Sequence, residues 1–353
     1  MKKIALALAA LLPLGAAAQV SQYAPGMSLE EGGITYFLPK TYIEVRFDLE
    51  REAYEPGEFA QYAKSELGIT NKGERPSERW RITRCTVDAA GVPDKDKAFF
   101  IKYKPKYTAP LVTLTDDGII RGINVELPDT EEEAFTPTVR SDKAGRIEAY
   151  MTEEMLMASS TARKAKLVAR EIFEIRESRN LLLRGEAETM PGDNESLKLI
   201  MEKLDEQEKA LLAPFVGTTT VTTKQVVLHV NPTAGQDGAV IRRFSERFGL
   251  VDADDLSGDP IYIKVKDLET VPVDTLLGNT VNNKNDKAGG VVYNVPGKAE
   301  VSVTLDGEPL AEATLPVTQF GGTEVLGDVL FNKNSTIRIE FDPVSGAIVH
   351  IER

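Results

Sequence analysis

Between residues 152 and 212 the spacing of apolar residues changes from two to about 3.6 and then changes back, and this switch limits the architectures open to the chain. Ala165, Val168, Ile172, Ile175 and Leu182 form one apolar stripe among Lys, Arg and Glu, and the segment stops at Gly185. Pro191-Gly192 makes a turn, Asp193 or Asn194 offers an N-cap, and a second stripe runs through Leu197, Met201, Leu204 and Leu211. Two helices joined by so short a turn must lie antiparallel. At ~1.5 Å per residue, a first helix over 152–183 would be about 45 Å long and a second over 194–212 about 30 Å, so the pair would project from a small domain.

Both flanks read as strands. In "YIEVRFDL" (42–49), Ile43, Val45, Phe47 and Leu49 point one way while Tyr42, Glu44, Arg46 and Asp48 point the other, the mark of a strand with one wet face. "EPGEFAQYAKSELG" interrupts with Phe59, Ala63 and Leu67 at helical spacing and closes on Gly68. Strand patterns resume over 79–87, 98–103, 111–114 and 119–127. Beyond Pro214 and Gly217 they return over 218–231, through Ile261, Ile263 and Val265, through Val301, Val303 and Leu305 before an Asp306-Gly307 turn, and in a last hairpin around "DPVSG". The expected fold is α+β. An N-terminal β-rich domain with one short helix (19–148) and a C-terminal β-rich domain (217–353), both mostly antiparallel and sandwich- or barrel-like, flank a long αα hairpin (150–215).

Residues 1–18 stand apart. Lys2 and Lys3, the apolar run Ile4 to Leu14 and Ala16-Ala17-Ala18 have the layout of a secretory signal, which places the protein outside the cytoplasm, in the periplasm or at the cell surface. No later run approaches the ~18 apolar residues of a membrane span. Loss of the signal takes the net charge from -13 to -15, which argues against nucleic acid and anionic lipid as partners. Cys85 is the only cysteine, so no intramolecular disulfide can form.

Candidate chemistry is sparse. His229 and His350, the only histidines, sit in separate strand patterns, and a metal site would need them to converge with further ligands. Cys85 alternates with Thr83 and Val87 and reads as a buried thiol, with Arg81 and Arg84 the only nearby groups able to activate it. Glu131-Glu132-Glu133 reads as a solvated charge run. "DADDLSGD" offers Asp252, Asp254 and Asp259 as calcium ligands, yet it departs from the EF-hand loop because Leu256 stands fifth and Ser257 sixth, where Gly is required. Asp274-Thr275-Leu276 fits a short bacterial O-glycosylation pattern at Thr275. No phosphate loop, G-x-G-x-x-G, G-x-S-x-G or Cys-x-x-Cys is present. The densest polar cluster is Arg176, Arg179, Arg184, Glu186, Glu188, Gln207 and Glu208, which serves either as a surface that receives a partner or as interhelical ion pairs that fix register.

The hairpin segment "REIFEIRESRNLLLRGEAETMPGD", with Leu204, Gln207, Glu208 and Phe215 after it, resembles a secreted bacterial family known as domain of unknown function 4831. "GITYFLPKT" (33–41), "YEPGEFAQYA" (54–63), "SGDPIYIKV" (257–265) and "VTQFG" (317–321) extend the likeness over nearly the whole chain after the signal. The resemblance implies export in Gram-negative bacteria and supplies no catalytic residues. The expected function is therefore a non-enzymatic binding or scaffolding module of the cell envelope, without a cofactor, that engages an envelope partner or a second copy through the hairpin or an exposed sheet edge. The competing expectation is a glycan-acting hydrolase with two carboxyls roughly 5 to 10 Å apart beside exposed aromatics.

Overall fold

A computed structural model of the chain describes residues 20–22, 33–102, 111–128, 134–142, 145–271, 290–326 and 337–352. The alternation around Ile43 belongs to a 23-residue strand, β2 (Gly33–Glu55), paired antiparallel with the 26-residue β3 (Ser77–Lys102). With β1 (Val20–Gln22), β6 (Val139–Ser141) and β7 (Thr218–Val230) they form a sheet in the order β1-β3-β2-β7-β6. A second sheet, in the order β12-β11-β10-β8-β9, holds β8 (Gln236–Ser245), β9 (Gly249–Val251), β10 (Asp259–Asp267), β11 (Val291–Leu305) and β12 (Glu308–Leu326). The two pack face to face: Ile43, Val45, Phe47 and Leu49 bury against Ile261, Ile263, Val301 and Val303.

The long strands serve a second core as well. β4 (Val112–Leu114), β5 (Ile120–Ile123), β13 (Arg338–Phe341) and β14 (Ile348–Glu352) form a small antiparallel sheet in the order β14-β13-β5-β4. Its Ile120, Ile123, Ile339 and Phe341 pack on Tyr36 and Leu38 of β2, on Phe99 and Ile101 of β3, and on Val291 and Val292 of β11. The side chains that β2 gives to this core are even-numbered, whereas those it gives to the sandwich are odd-numbered. The alternation slips where Pro39 stands opposite Pro93 at a break in register, two residues that have no N–H for the ladder. β11 breaks register between Val295 and Gly297, again at a proline, Pro296.

Strand segments from the two sides of the hairpin share these sheets, since β7 pairs with β2 along its full length and β13 with β5. The segments read as separate strands at 79–87 and 98–103 are both parts of β3.

The helical expectations meet two differences. The first helix is divided into α2 (Glu153–Leu156) and α3 (Thr161–Arg184), because Ser160 adopts an extended backbone and its Oγ accepts the N–H of Arg163, which opens a new helix. α4 (Asn194–Val216) runs through Pro214 and past the expected end at 212; so late in a helix, the missing N–H forfeits one backbone bond only. The remaining signals match: Asp193 caps α4 by accepting the N–H of Ser196 (2.7 Å), and Gly185 closes α3. At ~1.5 Å per residue the two helices are each about 35 Å long.

Only the proximal half of this hairpin is built into the body. Ala165, Val168, Ile172 and Ile175 of α3 and Leu211 and Phe215 of α4 bury against Ala63, the first residue of α1 (Ala63–Leu67), the short helix between β2 and β3, and against Phe59 just before it. Phe59 N–H donates to the carbonyl of Pro214 (2.8 Å), which locks the base of the hairpin to that connection.

Candidate functional site

Where the hairpin leaves the body, a charged network replaces the apolar seam. Glu208 of α4 is buried between two guanidiniums of α3: Arg176 Nε donates to its Oε1 (2.6 Å) and Arg179 Nη1 lies 2.7 Å from its Oε2. Arg179 Nη1 also donates to Asp205 Oδ1 at 2.7 Å. These contacts hold Arg179 above its ordinary protonation range, foremost through the hydrogen bond to Asp205 and further through the charge of Glu208, against the opposing effect of burial. The structure thus joins Arg176, Arg179 and Glu208 and adds Asp205, while Arg184, Glu186 and Glu188 lie exposed beyond the network and Gln207 is half-buried.

Past this network the hairpin exposes apolar side chains. Leu183 is 68% exposed, and Leu181, Met190, Leu199 and Ile200 are exposed in the same distal part of the hairpin. Eighteen residues are about five turns at ~3.6 per turn, so Leu183 continues the line of Ala165 beyond the point where the body ends.

The remaining candidates do not converge. His229 Nε2 lies 3.0 Å from Glu44 Oε2 on the outer face of the first sheet, whereas His350 stands on β14 opposite Glu340 in the small sheet. Cys85 packs on the sandwich core, and burial first and Asp48 second push its thiol up to about 12, so no thiolate is available near neutral pH. Asp252 is ion-paired with Arg242 and Asp259 lies in β10 opposite Phe244. Among the described residues no three His, Cys, Asp or Glu side chains gather as a metal site would require. Glu131 to Glu133 and Thr275 lie outside the described residues, as does the segment 1–18.

A site that the sequence reading missed lies at the far end of the sandwich, where β3 passes the turn between β8 and β9. There a groove of about 1120 Å3 is walled by Tyr54, Trp80 and Phe248 with Arg51, Glu78, Arg79, Glu246 and others. Trp80 is the only tryptophan in the chain. Gly249 presses its backbone on the indole, at φ 77, so closely that a Cβ there would stand 2.9 Å from Cδ2. The ring is further fixed by its backbone N–H, which donates to the Glu246 carbonyl (2.7 Å), and by Nε1, which donates to Glu78 Oε1 (3.1 Å). Two ion pairs bracket it: Arg51 with Glu78 (Nη2 to Oε2, 2.9 Å) and Arg79 with Glu246 (2.9 Å). Arg51 also lies 5.9 Å from the centroid of Trp80, and Arg247 5.2 Å from that of Phe248. The hydrogen bond from Arg51 keeps Glu78 below the usual carboxylate range, and that from Lys72 does the same for Glu52. Glu246, Arg247 and Phe248 come from a tight turn more than 160 residues downstream of Trp80, a proximity that no local pattern in the sequence encodes.

Together these features define a β-rich protein of packed antiparallel sheets from which a helical hairpin, rigid at its base, projects. Among the described residues no helix is long and apolar enough to cross a membrane. The chain belongs to the family described as a domain of unknown function, DUF4831, whose model matches residues 32–349. No curated protein and no solved structure matches it.

Proposed function

We propose that the protein is an exported, non-enzymatic binding module of the cell envelope that presents the distal half of its hairpin to a protein partner. One observation carries this reading. Leu183, Met190, Leu199 and Ile200 are exposed at the end of an arm whose helices are locked together by Arg176, Arg179 and Glu208. Apolar side chains left exposed at the end of an arm add nothing to its core, and several of them together fit a surface that is covered in use. Export is supported by the layout of residues 1–18.

The hydrolase reading has weaker support, because it needs one carboxyl kept protonated near neutral pH. Of the carboxylates near the aromatic groove, Glu78 and Glu52 are drawn the other way by Arg51 and Lys72.

The test is a photo-crosslinker installed at Leu199 in the protein in its native envelope. The expected result is one discrete crosslinked species that disappears when Leu183→Glu and Ile200→Glu are added. An adduct pattern unchanged by those substitutions, or no adduct, would overturn the reading. Capture of the chain by itself alone would make the hairpin a self-association element.

A further inference from the structure

We propose that the groove beside Trp80 is a binding site for a neutral oligosaccharide, a role independent of the hairpin. The argument begins with charge. The groove presents Arg51, Arg79 and Arg247 against Glu55, Glu78 and Glu246, so its formal charge is zero although the chain as a whole carries -13. An anionic ligand finds no excess of guanidinium here and is repelled by the surrounding field; a cationic one finds no excess of carboxylate. What the walls offer is a set of planar, fixed donors and acceptors. The bond from Arg79 Nη2 to Glu246 Oε1 leaves other N–H groups of that guanidinium and the second oxygen of that carboxylate available, and a ligand rich in hydroxyls, each able to donate and accept, satisfies both without breaking the pair.

Aromatic surface supplies the rest. Phe248 is 56% exposed at the rim, and Trp80 is held in place by Gly249 and by hydrogen bonds from both of its nitrogens. The exposed apolar surface of Phe248 beside fixed polar forks matches a sugar ring, which has C–H groups on its faces and hydroxyls around its edge. The site is also long. A second cavity of about 410 Å3, lined by Glu50, Glu52, Arg81 and Leu305, continues on the other side of Arg79, Trp80 and Glu246; it adds two carboxylates and one guanidinium, a balance that again disfavours an anionic ligand. The two spaces suit a chain of several sugar units better than one.

The experiment uses the single tryptophan as its own reporter. The full-length secreted protein is screened on an array of neutral glycans and then titrated with maltoheptaose, cellohexaose and an oligomannan, with an oligogalacturonate as the anionic comparison, while Trp80 emission is followed. The expected result is a saturable change with at least one neutral oligosaccharide, weakened about tenfold or more by Phe248→Ala and by Arg79→Ala and unaltered by Leu183→Glu on the hairpin. Phe248 and Arg79 are exposed, and circular dichroism of both variants verifies that they fold. No response from any neutral glycan at millimolar concentration, equal affinity in Phe248→Ala, or tighter binding of the oligogalacturonate would each overturn the proposal.

Discussion

The most exacting check on the way the sheets are joined is Tyr36→Phe, which removes one oxygen and nothing else. Between β10 and β11 the pairing ends at Asp267 opposite Ala299, so among the described residues no strand pairs with that side of β11 from Val291 to Val295. Backbone groups on that side still need partners, because they are buried. The Tyr36 hydroxyl takes the place of a strand: it accepts the N–H of Val292 (2.9 Å) and donates to its carbonyl (3.1 Å), while two residues on, Asn294 N–H donates to Gly346 (3.1 Å). Tyr36 is fully buried, and burial pushes its phenol above the ordinary range, so the hydroxyl stays neutral and can do both. In the variant the ring still stacks on Phe99 and no cavity opens, yet one N–H and one carbonyl lose their partner. Each orphaned buried group costs ~1–3 kcal/mol, so the expected loss for the two is about 2–6 kcal/mol, a large share of a typical stability of ~5–15 kcal/mol. Urea unfolding followed by far-UV circular dichroism and by Trp80 emission measures it. Trp80 pairs with Arg51, fifteen residues along β2 from Tyr36, or about 50 Å at ~3.3 Å per residue, so a shift of both signals together also shows that the two cores unfold as one. A loss below ~0.5 kcal/mol, the range of an ordinary surface substitution, would refute the idea that this hydroxyl substitutes for a strand.

Glu208→Gln removes the charge between Arg176 and Arg179; because those side chains are 32% and 26% exposed, the cost should fall to about 1–3 kcal/mol, below that of a fully buried pair, and appear as faster amide exchange over 176–207 with the sheets unchanged. Equal exchange in both proteins would mean that the network does not hold the arm. Cys85, with its thiol pushed up to about 12, should resist iodoacetamide at neutral pH while folded and react readily in urea, as read by mass spectrometry; native labelling at the rate of a free thiol would contradict its burial. Replacing Ser178 to Gln207 by a short Gly-Ser linker should lower the helical signal in circular dichroism and leave Trp80 emission and the urea midpoint of the sheets unaltered, whereas general unfolding would make the distal half a core element.

The sequence disclosed periodicity and little about partnership. The alternation at Ile43 to Leu49, the Asp306-Gly307 turn between β11 and β12, the caps at Asp193 and Gly185 and the two helical stripes are local signals, set within a few residues by backbone and side-chain chemistry, and each was legible. Pairing of β2 with β7 joins Glu55 to Thr218 and Ile43 to Val230, and nothing near either residue specifies the other. Prolines tend to be read as strand breakers, so the continuity of β3 past Pro93 was hidden, since Pro39 opposite it removes the need for the missing donor. Ser160 was not legible as a cap because the helical period reads from 152, upstream of it. Of the charged cluster, helical spacing puts Arg176 and Arg179 on one face, but neither Glu208 nor Asp205 could be chosen as their partner without the register and crossing angle of the two helices. The Trp80 groove had no local signal at all, being made where a turn from one sheet meets a strand from the other.

The topology gives the hairpin its freedom. β6 and β7 are adjacent in the first sheet, with Ser141 opposite Thr220, and Asp142 Oδ1 accepts the N–H of Thr219 (2.6 Å), so the chain leaves the sheet and rejoins it at neighbouring positions. Everything between is an insertion whose length the sheet does not sense, since the entropy of closing a loop grows only slowly with its size. The two halves of the insertion are nevertheless under different constraints. Residues 165–175 and 211–215 cover the apolar side of α1 and could not be lost without exposing Phe59 and Ala63. Beyond Glu208 no such duty exists, and a helix pair selected for solubility alone would turn polar there. It keeps Leu183 in line with Ala165 instead, and leaves that side chain 68% exposed. Under the proposed binding role this exposed side chain is where a partner is met, so Leu183→Glu should abolish crosslinking from Leu199 and leave the urea midpoint of the sheets unchanged.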